Sequence, residues 1–260
     1  MHRHPSISTL EFLVSKHPLS VQLYTVRDAV AADLDAALAR LAAIGFRTVE
    51  LYGFVDRAAE YRDTLAKHGL VASSAHAPFL SQDAAPIFAA ALEVGVTSLI
   101  DPMSDPELWT SRDGIAALAA TLNERAKQAA EHGIRVGYHN HWWEPVPVDG
   151  TPAFEIFADL LDPEVILEVD TYWVEVGGGN AVETLGRLGE RVQFIHVKDG
   201  PITREGTDQT AVGDGRMPVL DILAAAPQAV PVVELDGFSG DVFDALTDSL
   251  AYLTANGERA

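Results

Sequence analysis

Short apolar segments alternate with amphipathic helical segments along almost the whole chain, and this alternation restricts the fold more than any other feature. Each apolar segment has the length of a β-strand, and most are rich in valine, isoleucine and leucine. Strands that alternate with helices pair in parallel, because each helix carries the chain back to the edge where the next strand starts. We predict eight such strands, at Leu19–Tyr24, Thr48–Tyr52, Val71–His76, Ser98–Asp101, Arg135–His141, Val165–Asp170, Gln193–Lys198 and Val230–Asp236.

Helices are predicted between these strands. Apolar residues recur at helical spacing, as at Leu38, Leu41 and Ile44. Gly69 and Gly95 each follow a helix and precede a strand, where a left-handed C-cap is expected. The clearest helices are predicted at Asp33–Ile44, Arg57–His68, Pro86–Glu93, Ile115–His132 and Asp241–Thr254.

Eight strand-helix units in 260 residues favour a closed (β/α)8 TIM barrel of the α/β class. We expect a single barrel domain over residues 18–260, preceded by an N-terminal arm over residues 1–17. A doubly wound open sheet is the alternative, but no G-x-G-x-x-G pattern follows the first predicted strand. The run from Gly177 to Gly179 lacks that spacing, and we interpret it as a flexible loop.

The composition excludes several classes of protein. The chain has 38 acidic residues, 18 lysines and arginines and a formal net charge of −20, so we expect no nucleic-acid partner. It has no cysteine, which excludes disulfides, thiolate metal ligands and a cysteine nucleophile. No segment approaches the roughly 20 apolar residues of a membrane span, and the N-terminus lacks the apolar core of a signal peptide. We therefore expect a cytoplasmic protein with no membrane partner.

Ionisable side chains end four successive predicted strands. His139 and His141 end the fifth strand, Asp170 the sixth, His196 the seventh and Glu234 the eighth. Alternate residues of a strand share a face, and the carboxyl ends of barrel strands meet at the edge where catalytic residues lie. Burying ionisable groups is costly unless they have a partner. The pattern therefore predicts one divalent metal ion held by His139, Asp170, His196 and Glu234.

Other polar residues lie at the same strand ends and in the following loops. For His76, a hydrogen-bonded structural role is the alternative to a functional one. Glu168 lies one layer deeper than Asp170, and it needs a partner that the sequence does not identify. The predicted substrate-binding residues are Gln22, Glu50, His76, Glu144 and Trp173.

These motifs resemble those of the sugar isomerase/epimerase superfamily, which has a xylose-isomerase-like TIM barrel and includes tagatose 3-epimerase, hydroxypyruvate isomerase and inosose dehydratase. The resemblance extends over nearly the whole chain and does not identify a substrate. It is carried by Val21-Gln-Leu-Tyr-Thr-Val-Arg-Asp28, Val49-Glu-Leu-Tyr52, Ala75-His-Ala-Pro78, Tyr138-His-Asn-His141 with Glu144, Asp170-Thr-Tyr-Trp-Val174, His196-Val-Lys-Asp199 and Val233-Glu-Leu-Asp236.

The resemblance implies one divalent ion held by Glu, Asp, His and Glu from strands five to eight. Asp170, His196 and Glu234 match three of these ligands, whereas His139 stands where the family has the first glutamate. In the epimerases both glutamates act as acid and base on opposite faces of the substrate, so this chain keeps only Glu234 of that pair. Two carboxylates and two neutral imidazoles leave the divalent site formally neutral, which favours Mn first, with Mg, Co, Fe and Zn as alternatives.

Such an ion polarises a ketone and acidifies the adjacent C–H group, and a side chain then transfers the proton. Glu234 is the predicted catalytic carboxylate. His141 and Lys198 are the first candidates for a second catalytic group, with Glu144 and His76 also open. Lys198 fits the stabilisation of an oxyanion, or the binding of a hydroxyl or carboxylate, slightly better than the role of a base.

Four functions remain for this sequence. The first is a metal-dependent isomerase or epimerase of an unphosphorylated keto-sugar or keto-polyol, acting through an enediolate. The alternative is a lyase or dehydratase acting on a keto-sugar, keto-glycoside or inosose with the same metal-assisted chemistry, which His139 favours slightly. An apurinic endonuclease is disfavoured by the charge, and a non-catalytic sugar-binding or partner-binding barrel is the fourth. The expected partner is a small carbohydrate substrate. A homo-oligomer fits the family, but no interface can be named.

Overall fold

The computed structural model describes residues 17–260, so the predicted arm over residues 1–17 lies outside the described residues except for His17. Ten strands are assigned in this part of the chain. They are β1 (Ser20–Gln22), β2 (Thr48–Leu51), β3 (Val71–His76), β4 (Ser98–Asp101), β5 (Arg135–His139), β6 (Pro147–Val148), β7 (Thr151–Pro152), β8 (Ile166–Asp170), β9 (Val192–Val197) and β10 (Val230–Val233).

Eight of these strands form a closed parallel barrel in the order β1-β10-β9-β8-β5-β4-β3-β2, and the predicted (β/α)8 TIM barrel is confirmed. The short strands β6 and β7 form a separate antiparallel hairpin within the connection from β5 to β8. β5 therefore pairs directly with β8, and the barrel closes where β1 pairs with both β2 and β10.

Ten α-helices lie among the described residues. They are α1 (Arg27–Ala32), α2 (Leu34–Ile44), α3 (Ala58–His68), α4 (Ala84–Val94), α5 (Arg112–Ala130), α6 (Ala153–Leu160), α7 (Thr171–Val176), α8 (Ala181–Leu188), α9 (Val219–Ala225) and α10 (Val242–Ala255). Side-chain N-caps set several starts: Asp33 accepts a hydrogen bond from the Ala36 N–H, and Ser111 accepts one from the Gly114 N–H. Gly69 and Gly95 end α3 and α4 in the left-handed conformation, as predicted.

Three barrel strands end two or more residues earlier than the apolar pattern predicts. β1 ends at Gln22 because a 3-10 helix occupies Leu23–Val26. β5 ends at His139 and β10 ends at Val233. His141 and Glu234 therefore lie in the segments after their strands, because the spacing of alternate ionisable residues continues beyond the last paired residue.

The barrel interior is apolar near its base and ionic near its carboxyl end. Four buried side chains form an apolar cluster separate from the main core. Three of them precede an ionisable residue of the same strand face by two positions, so the apolar layer lies directly beneath the polar one. The four residues are Ile100, Ile166, Phe194 and Val232. Within residues 17–260 no helix is both long enough and apolar enough to cross a bilayer.

Candidate active site

Strand register brings the predicted ligands to one level of the barrel. Asp170 at the end of β8 pairs with His196 of β9. His139 at the end of β5 pairs with Glu168, one layer below Asp170 on β8. All four of these residues are buried. The geometry thus collects titratable groups that are far apart in the sequence at the carboxyl end of the barrel.

Asp170, His196 and Glu234 form an outer group whose donor atoms all lie within 4.8 Å of one another. His196 Nδ1 lies 2.6 Å from Glu234 Oε2 and 3.9 Å from Asp170 Oδ2. His139 Nε2 approaches the same group, 3.8 Å from Asp170 Oδ2. The structure therefore brings three predicted ligands together and places the fourth at their edge.

Lys198 lies beside the outer group. Its Nζ is 2.8 Å from Asp170 Oδ2, 2.8 Å from Glu234 Oε2 and 2.7 Å from Asp236 Oδ2. Burial opposes a charge on Lys198, but the three carboxylates outweigh burial and raise its pKa well above the usual value. Burial would raise the pKa of Glu234, yet Lys198 and His196 outweigh it and lower that pKa well below the usual value. Lys198 is thus a charged donor, which fits oxyanion or hydroxyl binding better than proton removal.

A second, inner group lies next to the outer one and shares His196 with it. It consists of His76, His139, Glu168 and His196, with donor atoms again within 4.8 Å of one another. His76 Nε2 lies 2.5 Å from Glu168 Oε2 and hydrogen-bonds to it. His139 Nδ1 and His196 Nε2 lie 3.2 Å and 3.3 Å from the same oxygen. Glu168, for which the sequence indicated no partner, is surrounded by imidazoles.

The two candidate imidazole ligands differ in their tendency to be charged. Burial disfavours the charged form of His139, and the neighbouring His196 adds to this, so the pKa of His139 lies well below its usual value. Burial also opposes a charge on His196, but Glu168 and Glu234 outweigh it and raise the pKa of that ring well above its usual value. Neutral His139 can accept an ion directly, whereas His196 must release a proton first.

The donor set fits a divalent ion. Two buried atoms of the outer group, His196 Nδ1 and Asp170 Oδ2, have ion-pair contacts but no hydrogen bond of good geometry. Buried polar atoms normally have such a bond, so these two atoms, 3.9 Å apart, are available to a shared ligand. Two carboxylates with imidazole nitrogen donors suit ions such as Mn or Zn. Asp170, His196, Glu234 and His139 would hold it.

The loop after β5 is fastened by Glu144, which is fully buried. Glu144 Oε1 accepts a hydrogen bond from the Tyr138 hydroxyl at 2.9 Å, and Oε2 accepts one from the His141 backbone N–H at 2.8 Å. The His141 ring stacks on Trp143 with centroids 4.5 Å apart and lies 5.3 Å from the His139 ring. His141 therefore borders the ligand cluster, while the oxygens of Glu144 are engaged within the loop.

The other predicted substrate contacts lie at different depths. Gln22 and Glu50 are fully buried and hydrogen-bonded to each other, and His76 is 8% exposed. Trp173 is also 8% exposed, and the Lys198 ammonium lies 5.4 Å from the centre of its ring. Their role in substrate binding stays a prediction.

Comparison with known proteins identifies the family. Residues 38–229 match the family model described as a xylose isomerase-like TIM barrel, and this range covers well over half of the chain. The chain belongs to the xylose isomerase-like TIM barrel family.

Among curated proteins, this xylose isomerase-like chain is 35% identical over 83 residues to an inosose dehydratase of Mesomycoplasma hyopneumoniae strain 7448. The match covers 32% of this chain and spans only 27% of the curated relative. Among solved structures, a sugar phosphate isomerase/epimerase from Parabacteroides distasonis superposes with a TM-score of 0.76, at 23% identity and 97% coverage of both chains. An IolI protein with a bound zinc atom superposes with a TM-score of 0.65, at 15% identity, covering 92% of this chain and 97% of IolI. These structural similarities establish the fold alone.

Sequence reasoning left two members of this xylose isomerase-like site unassigned. Asn140 clamps the end of β8, since its Oδ1 accepts a hydrogen bond from the Asp170 N–H at 2.9 Å and its Nδ2 donates to the Asp170 carbonyl at 3.2 Å. Asp101 is buried at the end of β4, where its oxygens accept hydrogen bonds from the N–H groups of Leu80 and Met103. Asp101 carries the same signal as Asp170, a carboxylate that ends an apolar strand.

Proposed function

We propose that this chain is a metal-dependent enzyme that removes a proton next to the carbonyl of an unphosphorylated keto-sugar or keto-polyol. The observation that carries the proposal is the outer group, in which two carboxylates and an imidazole lie together beside a buried lysine. The local similarity to inosose dehydratase supports a substrate of this chemical class.

His139, Asp170, His196 and Glu234 would hold the ion, which when bound polarises the substrate carbonyl and stabilises negative charge on its oxygen. Manganese is the first choice because the donors mix oxygen with imidazole nitrogen; Mg, Co, Fe and Zn are the alternatives. The zinc atom in the IolI structure supports a divalent ion in this fold.

The residues of the chain supply proton transfer and positioning. Glu234, held charged by Lys198 and His196, accepts the substrate proton. Lys198 donates a hydrogen bond to a developing oxyanion or to a neighbouring hydroxyl. His141, which borders the ligand cluster, is the candidate second acid that protonates the product or leaving group.

Dehydration agrees with the site better than isomerisation. Epimerisation uses a carboxylate on each face of the substrate, whereas this chain has Glu234 on one side and a neutral imidazole at His139. Elimination needs one base and one acid for the leaving hydroxyl. The stretch that matches inosose dehydratase at 35% identity supports the same choice. Isomerisation or epimerisation is the second candidate, because His141 can serve as the other proton carrier.

An unphosphorylated substrate agrees with the charges around the site. Lys198 is already surrounded by three carboxylate oxygens at 2.7 to 2.8 Å. The Arg204 guanidinium lies 3.5 Å from the centre of the Trp142 ring, where it packs on the aromatic face. A phosphate dianion would meet Asp170, Glu234 and Asp236 before it met an unpaired cation.

The test is proton exchange followed by NMR. Mn-loaded protein is incubated in D2O with a panel of inososes, ketohexoses and 3-keto-glycosides. We expect the NMR signal of the proton next to the carbonyl to disappear as deuterium replaces it. A dehydrated product identifies elimination, whereas a rearranged sugar identifies isomerisation. Glu234→Gln should lower the exchange rate by about 100-fold or more, the typical contribution of a general base. Glu60→Gln, at an exposed position, should leave the exchange rate unchanged. Metal-loaded protein that exchanges no substrate of the panel would contradict the proposal.

A further inference from the structure

Glu50 contacts the imidazoles of His76 and His196 at the carboxyl end of the barrel. It is fully buried, and its Oε1 lies 2.7 Å from His196 Nε2 and 2.7 Å from Gln22 Nε2. Oε2 accepts a hydrogen bond from the Ser74 hydroxyl. Both oxygens are therefore occupied by side chains of the barrel.

We propose that Glu50 is a positioning residue that keeps a proton on His196 Nε2 and so leaves His196 Nδ1 free to bind the ion. This inference rests on the proposed metal-dependent function and assigns Glu50 and Gln22 a role other than the substrate contact predicted from the sequence.

The hydrogen-bond chain decides which nitrogen of His196 carries the proton. The Tyr24 backbone N–H donates to Gln22 Oε1 at 3.0 Å, so the amide oxygen of Gln22 faces Tyr24 and its NH2 group faces Glu50. An amide NH2 group can only donate, and Glu50 Oε1 is therefore an acceptor. The Ser74 hydroxyl donates to the other oxygen, so Glu50 accepts at both oxygens, as an ionised carboxylate does. An ionised carboxylate can only accept, and His196 Nε2 at 2.7 Å therefore donates to Oε1.

The opposite nitrogen of the ring faces the outer group. His196 Nδ1 lies 2.6 Å from Glu234 Oε2 and has no hydrogen-bond partner of good geometry. A metal-binding imidazole usually donates its other N–H to a carboxylate, which orients the ring and makes the ligand more basic. Glu50 has this arrangement with His196 across 146 residues of sequence.

The strand register is irregular next to Glu50. Val49 pairs with Ala72 and Glu50 pairs with Ser74, so β3 contains one extra residue, Ser73, at this point. Such irregularities are frequent beside active sites. β9 likewise contains one extra residue where it pairs with Leu167 and Glu168. Both buried glutamates thus lie opposite a register shift in the neighbouring strand.

The test reads out the bonded nitrogen directly. Full-length protein with 15N-labelled histidine is loaded with 113Cd, and the coupling between cadmium and nitrogen identifies the ligand atom. We expect the coupling on His196 Nδ1, with a proton on Nε2. Glu50→Leu, which removes the acceptor, should weaken cadmium affinity in calorimetry by about 10- to 100-fold, the usual effect of losing such a partner. Glu50→Gln keeps an acceptor oxygen and should retain the Nδ1 coupling with a smaller loss.

Glu60→Gln is the control, because it alters an exposed carboxylate on α3 that pairs with Arg57 and does not contact His196. It should leave both the coupling and the affinity unchanged. Cadmium bonded to His196 Nε2, or unchanged affinity in both Glu50 variants with intact folding, overturns the inference while the metal-dependent function stands. Wild-type protein that binds no ion overturns both. Because Glu50→Leu can fail to fold, the identity of the cadmium-bonded nitrogen in the wild-type protein is by itself sufficient to test the inference.

Discussion

Buried carboxylates in this barrel differ in what surrounds them, and their surroundings decide whether each one is charged. Glu234 has Lys198 and His196 as neighbours, and they hold its pKa well below the usual value despite burial. Asp101 has mainly backbone N–H groups around it, and burial raises its pKa to about 6. At the scale of the residue, the Glu234 carboxyl is thus an anion near pH 5, whereas the Asp101 carboxyl at the end of β4 is a neutral acid.

Asp101 should make the stability of the protein depend on pH. Its folded pKa of about 6 lies above the usual value of 3.8 for an aspartate, so the native state binds a proton that the unfolded chain releases. The stabilisation is complete below about pH 4 and is lost as pH rises through 6, by roughly 3 kcal/mol in total. In urea titrations between pH 4 and 7, Asp101→Asn should flatten this part of the profile. Asp83→Asn, at an exposed helix N-cap that asparagine also fills, should keep the wild-type slope. Parallel profiles for wild type and Asp101→Asn would contradict the shift.

Two glycines show that the same residue type has opposite consequences in different elements. A Cβ atom on Gly137 of β5 would lie 2.4 Å from the Ile166 carbonyl oxygen and 2.7 Å from its side chain. The close pairing of β5 with β8 needs that space, since Gly137 and Ile166 are direct partners. Gly186 in α8 meets no atom within 4 Å at the same position. At the scale of the element, glycine is required in the strand and only weakens the helix.

Alanine substitutions should separate these two cases. Gly137→Ala overpacks the β5–β8 contact and should lower the free energy of unfolding by about 1–3 kcal/mol. Gly186→Ala removes backbone freedom from the unfolded chain and should raise the free energy of unfolding by about 0.5–1 kcal/mol. Urea denaturation of the two variants beside the wild type measures both. A Gly137→Ala variant as stable as the wild type would show that β5 and β8 move apart without cost.

The whole barrel assembles the outer group only in the folded state. Asp170, His196 and Glu234 come from three separate strand ends, and the apolar layer beneath excludes water from their lower side. An ion bound there gains all its ligands only after β5, β8, β9 and β10 have paired. Metal binding should therefore be coupled to the stability of the entire molecule.

Removal of metal should lower the melting temperature. An ion present at 100 times its dissociation constant stabilises the native state by about 2.7 kcal/mol, which for this chain length corresponds to about 5–11 °C. Calorimetric melting of chelator-treated protein, with and without added Mn, measures the difference. His196→Ala should melt at one temperature in both conditions. Equal melting temperatures for wild-type protein with and without metal would contradict binding at this site.

Sequence patterning predicts much of this protein because it reflects local physical chemistry. Strand-length apolar segments, amphipathic helices and glycine C-caps predict the barrel, and polar strand ends predict the level at which Asp170 and His196 meet. Strand ends are predicted less accurately, since the spacing of alternate ionisable residues continues past the last strand residues, His139 and Val233.

Only the tertiary structure decides how the side chains are paired. The chain order does not reveal that Glu50 accepts a hydrogen bond from His196, that Glu168 lies among imidazoles, or that Lys198 joins three carboxylates. Those pairings depend on strand register and on the shifts opposite Glu50 and Glu168, where β3 and β9 each contain one extra residue. The sequence by itself thus determines which chemical groups reach the carboxyl end of the barrel. The folded barrel decides which atoms of those groups face one another, because hydrogen bonding and charge act over distances that only the closed sheet sets.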